Sequence, residues 1–119
     1  MTFHADVPQH ADMAARLAPI RAHFIGTLPP RRDRLSVFLG LAHPNAAPPA
    51  MLRQLQEDAH KIRGVAPTLG FERLGRAAAV ADELLDPWHD SDAAHPVTDQ
   101  IIAGLAALLE EIETTMIPV

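Results

Sequence analysis

Between Leu52 and Leu69 the apolar residues fall at alternating intervals of three and four: Leu52, Leu55, Ala59, Ile62, Ala66 and Leu69. Each residue of an α-helix turns the chain by about 100°, so this spacing gathers all six side chains onto one stripe. A strand would scatter them over both faces. The stretch is predicted as a helix from about Ala50 to Leu69 that must bury one side. The same rhythm returns four times. Met13, Leu17, Ile20, Phe24 and Leu28 predict a first helix, with Asp12 as its cap, Pro19 inside it and Pro29-Pro30 as its end. Leu35, Phe38, Leu39 and Ala42 predict a second, with Pro30 tolerated in its first turn. Phe71, Leu74, Ala78, Ala81 and Leu85 predict a fourth helix, and Ile101, Leu105, Leu108 and Ile112 a fifth, opened by Thr98 or Asp99. Breaker-rich segments separate them: HPNAAPP at 43–49 and the acidic DPWHDSDAAHP at 86–96. One apolar stripe per helix and short connections give an all-α fold, an antiparallel four-helix bundle with an additional N-terminal helix. A length of 119 residues fits one domain spanning 1–119, with residues 1–10 as a loose lead. The reading favours a self-contained protein over a slice of a larger kinase.

Composition narrows the function. Hydrophobic residues make up 48% of the chain, enough for a core, and few are β-branched or aromatic. A formal net charge of −5 argues against a general nucleic-acid partner and against an anionic membrane surface. The local basic cluster Arg31, Arg32 and Arg34 is the exception. The absence of cysteine excludes disulfide and thiolate chemistry. With no apolar run of membrane-spanning length and no signal peptide, the chain reads as cytoplasmic.

His60 lies off the apolar stripe of its helix. One turn away stand Gln56 and Glu57 on one side, Arg63 and Gly64 on the other, which predicts a wet face. A glycine inside a helix costs about 1 kcal/mol relative to alanine. At Gly64 it removes the side chain that would cover the imidazole. Lys61 and Arg63 add positive charge. An exposed imidazole with an open approach and cationic neighbours suits the acceptance of a phosphoryl group. The segment AHKIRGVAPTLGF, residues 59–71, resembles the core of HPt domains, the histidine-containing phosphotransfer modules of phosphorelays. That core is His-x-x-Lys-Gly followed by a second glycine, and His60, Arg63, Gly64 and Gly70 stand at its positions. Arginine replaces the usual lysine, keeping charge but changing hydrogen-bond geometry. Pro67 stands where a small helix former is commoner.

The resemblance implies a phosphorelay intermediate. His60 would accept a phosphoryl group from a receiver-domain phospho-aspartate and pass it to another receiver aspartate. The implied partners are response-regulator receiver domains, including those of hybrid histidine kinases. Magnesium is expected in the receiver and no cofactor in this chain. Lys61, Arg63 and Gly64 form the phosphoryl neighbourhood. Gln56, Glu57, Val37 and Leu41 are candidates for docking. A helical adaptor that binds receivers or kinases without transfer would use the same surface. An autokinase is disfavoured, because no ATP-binding motif is present and Lys61 stands where kinase phosphoacceptor helices usually carry an acid. Seven histidines raise the question of a metal, but none has another at i+3 or i+4, so no metal site is expected.

Overall fold

The computed structural model describes the backbone of residues 9–117 and the side chains of residues 13–117. Within these residues five α-helices follow in order: α1 (Gln9–Gly26), α2 (Leu28–Leu39), α3 (Pro49–Val65), α4 (Glu72–Leu84) and α5 (Asp99–Met116). Among the described residues there is no strand. Short 3-10 turns at Pro44–Ala46 and Asp86–Trp88 sit in the two breaker-rich segments. Helices α2, α3, α4 and α5 pack cyclically as a four-helix bundle, and α1 lies against one end. Cross-helix contacts give the directions. Gln56 meets Asp82 while Pro67 meets Gly75, so α3 and α4 run antiparallel. Arg73 meets Glu111 while Leu84 meets Gly104, so α4 and α5 do too.

The buried stripes join in one core. Leu52, Leu55, Ala59, Ile62, Ala66 and Leu69 face Leu74, Ala78, Ala81 and Leu85 from α4 and its end, and Ile101, Leu105, Leu108 and Ile112 from α5. Leu28, Leu35 and Phe38 close it from α2. A partly buried ion pair ties α2 to α3. Asp58 accepts from Arg34 Nε at 2.7 Å and Nη2 at 2.8 Å, with Arg31 Nε at 3.8 Å. Two members of the basic cluster thus share one carboxylate, and Arg32 pairs with Asp33.

Several boundaries differ from the sequence reading. The first helix ends at Gly26, and Leu28 belongs to α2, where it is fully buried. Pro29-Pro30 start a helix rather than end one. The first turn leaves its backbone N–H groups unpaired in any case, so residues lacking that donor fit there. Asp12 is not a cap, because α1 already opens at Gln9. Of the expected loose lead, residues 1–8 lie outside the described residues, and positions 9 and 10 are helical. Ala42 is exposed beyond the end of α2.

Helix α3 stops at Val65, short of Leu69. The next residues close a Schellman turn. Phe71 N–H donates to the Ala66 carbonyl at 2.9 Å and Gly70 N–H to the Pro67 carbonyl at 3.1 Å, with Gly70 at φ +91°. Gly70 is thus the expected cap, in the left-handed conformation that glycine adopts without steric cost. Phe71 then stacks on Phe24 of α1, and Arg21 Nε donates to the Leu69 carbonyl at 2.8 Å. Thr98 caps α5 by accepting from Ile101 N–H. Trp88, within the acidic loop, is buried.

Candidate functional site

Helix α3 carries His60 on its α4 side with 69% of the side chain exposed. The stripe residues Ala59 and Ile62 are fully buried, so the backbone beneath the ring is anchored in the core. Opposite stands Asp82 of α4, itself only 8% exposed. Its Oδ2 lies 3.0 Å from His60 Nδ1 and 3.3 Å from Arg63 Nη1, and its Oδ1 accepts from Gln56 Nε2 at 2.7 Å. Burial pushes the Asp82 carboxyl upward, but the hydrogen bonds from His60, Gln56 and Arg63 outweigh it and hold the group below the ordinary carboxylate range. Asp82 is therefore an ionised acceptor. It requires a proton on His60 Nδ1, which leaves the neutral ring's lone pair on Nε2. Nε2 has no protein partner among the described residues. A buried carboxylate that fixes the tautomer and orientation of an exposed imidazole is the arrangement by which an acid prepares a histidine for chemistry.

Arg63 bridges Asp82 and Glu83, the latter at 3.6 Å from Nη2. It lies beside His60 and reaches the same carboxylate. Gly64 faces open space: a Cβ built there meets no heavy atom within 4 Å. Close helix packing is thus not the reason for this glycine. Lys61 points along the other flank of α3, where it lines a groove with Ile20, His23 and Phe24 of α1. His60, Arg63 and Asp82 form one group, and Lys61 stands apart from it.

The docking candidates divide. Glu57 is exposed. Gln56 is not on a wet face: it is 3% exposed and bridges Asp82 to His89, whose Nδ1 lies 3.3 Å from Gln56 Oε1. Helical period assigned Gln56 to solvent because it is polar, whereas α4 covers it and supplies a carboxylate. Val37 is 58% exposed and lines an apolar groove of about 410 Å³ between α2 and α3, with Met51 and Leu55. Leu41 is half-buried, packed against the core. Among the described residues no group of three or more His, Asp or Glu side chains could hold a metal ion.

Asp82 is the residue that sequence reasoning missed. One signal pointed to it: it follows the stripe residue Ala81 directly and stands one turn beyond Ala78, at the edge of a buried face.

Residues 19–115 match the family model described as the Hpt domain. The chain belongs to the Hpt family. The match spans all of α2 to α4, most of α5, the C-terminal part of α1 and the whole HKIRG segment. Neither a curated protein nor a solved structure matches the chain. The Hpt assignment places the protein in histidine phosphotransfer of two-component signalling, where such domains interact with receiver domains of response regulators or hybrid kinases. Among the described residues of this Hpt domain, no helix is long and apolar enough to cross a membrane.

Proposed function

We propose that His60 is the phosphoacceptor of a phosphorelay, taking a phosphoryl group from a receiver phospho-aspartate and passing it to another receiver aspartate. One observation carries the reading: an exposed imidazole whose Nδ1–H is held by the buried carboxylate of Asp82, with Nε2 left unpartnered. The lone pair of Nε2 attacks phosphorus, the N–P bond forms and the P–O bond to the receiver aspartate breaks. The electron pair of that bond returns to the receiver carboxylate. Nε2 has no proton to lose, so no general base is needed. The positive charge that develops on the ring is met at Nδ1–H by Asp82. The return step runs the same path backwards to the second receiver.

Arg63 donates to the incoming phosphoryl group by turning from Asp82 and Glu83, and its charge-assisted hydrogen bonds are of the stronger kind. Magnesium belongs to the receiver, where it neutralises charge on the transferring group. Gly64 leaves the approach to His60 open. Glu57 and Val37 lie within the contact surface, the latter through its apolar groove.

Incubation with a phosphorylated receiver tests the assignment. His60→Gln is expected to abolish acid-labile, base-stable label on the Hpt domain with unchanged helical content. Undiminished label on that variant overturns it. The adaptor alternative is separated by a cellular output assay, in which His60→Gln silences a relay and leaves an adaptor working.

A further inference from the structure

The hydrogen bonds that hold Asp82 do not end at Gln56. Gln56 spends its amide N–H on Asp82 Oδ1, so its Oε1 turns the other way, toward His89 Nδ1. An amide oxygen only accepts, so in this contact a protonated His89 Nδ1 is the donor. With that proton in place the bonds run from His89 to Gln56, from Gln56 to Asp82, and from His60 to Asp82. The loop pins His89 from both sides. Trp88 before it is buried, and His89 N–H donates to the Asp86 carbonyl at 2.9 Å. After it, Asp90 adopts φ +51°, a left-handed conformation that aspartate tolerates, with its Oδ2 3.2 Å from His89 Nε2. Arg53 of α3 then holds the Ser91 carbonyl at 2.9 Å and pairs with Asp92.

We infer that His89 is a positioning residue for phosphoacceptor His60, acting through Gln56 and Asp82; this rests on the phosphoacceptor reading of His60. His89 keeps the Gln56 amide turned with its N–H on Asp82. Without that anchor Gln56 gains rotational freedom, Asp82 loses the steadiness of its shortest hydrogen bond, and the carboxylate is free to turn from His60 Nδ1. The protein then spends less time in the tautomer and ring orientation that present Nε2.

The test uses the whole chain and two readouts. Imidazole ¹⁵N spectra report the His60 tautomer without any phosphoryl transfer, and labelling by phosphoramidate reports reactivity without any receiver. His89→Leu is expected to shift His60 from the Nδ1–H tautomer to a mixture and to slow labelling about three- to tenfold, the size of one net hydrogen bond. His89→Asn places an amide N–H near the position of Nδ1 and is expected to restore both. More than half of the His89 side chain is exposed, so these substitutions leave the core intact. Gln56→Met removes the bridge itself, and combining it with His89→Leu is expected to add nothing further. A wild-type His60 spectrum in His89→Leu, failure of His89→Asn to restore it, or additive effects in the double variant would each overturn the inference. Label that persists in His60→Gln would instead defeat the phosphoacceptor reading, while the spectra still report on the hydrogen-bonded chain.

Discussion

Asp82 accepts three hydrogen bonds from three side chains of α3, and its titration should be visible in the stability of the whole fold. Its carboxyl sits below the ordinary 3.8 in the folded protein. The unfolded chain therefore takes up the proton first as pH falls. The stabilisation is complete above the ordinary value and is lost as pH drops through the lowered folded value. Denaturation midpoints measured from about pH 6 to about pH 2 should fall along this limb, and Asp82→Asn should flatten it. The same variant should slow phosphotransfer, because a neutral amide no longer forces the proton onto His60 Nδ1. Gly64 gives a second test at this scale. With nothing within 4 Å of a built Cβ, Gly64→Ala should stabilise the protein by about 1 kcal/mol and leave transfer unimpaired. Gly64→Leu should slow transfer from a phospho-receiver without unfolding the bundle. Normal transfer in Gly64→Leu would show that the gap serves no approach.

Just beyond the end of α3, Pro67 packs against Gly75 of α4. A Cβ on Gly75 would stand 2.5 Å from Pro67 Cγ and 2.9 Å from Cδ. The proline ring is fixed to its own backbone and cannot rotate away. Overpacking of this kind costs about 1–3 kcal/mol and should exceed the helix-propensity gain of about 1 kcal/mol. Gly75→Ala is therefore expected to destabilise, and Pro67→Ala in the same chain to restore stability. Gly104 makes the contrast. Its nearest obstacle is Leu84 Cδ1 at 2.6 Å, the far end of a flexible side chain. Gly104→Ala should be near neutral, because a rotamer change clears the space. Urea unfolding of the three variants measures the difference. The Pro67–Gly75 contact also accounts for proline in the segment after His60: it ends the helix and seats the ring against the neighbouring glycine.

For the molecule as a whole, His60, the proposed phosphoacceptor, and the apolar groove lie on different flanks of α3. His60 leans to α4, whereas Val37, Met51 and Leu55 line the groove toward α2. A receiver that covers both must cross the outer face of α3, where Glu57 and Gly64 leave little obstruction. Val37→Asp is expected to weaken receiver binding and transfer together, while phosphoramidate still labels His60. Leu41→Asp should in addition lower the stability of the bundle, because Leu41 is half-buried against the core. Titration of a receiver against each variant, beside its circular dichroism, separates the two outcomes. Full receiver affinity in Val37→Asp would remove the groove from the contact.

The five amphipathic helices, their order, the Gly70 cap and the segment around His60 were legible in the sequence, because each is written in residues a few positions apart. Helical period places a side chain relative to its own apolar stripe, and capping and turn chemistry are local. Polar residues placed only by that period were misread. Gln56 counted as exposed until α4 covered it, and the fates of Asp58 and Asp82 depended on Arg34, His60 and Gln56, which stand 22 to 26 residues away. Trp88 looked like part of an acidic loop until the bundle closed over it. The sequence by itself set His60 off the apolar stripe of its helix, beside Gly64. Tertiary packing decided which nitrogen it presents, because only the fold brings the buried carboxylate of α4 against the ring carried by α3.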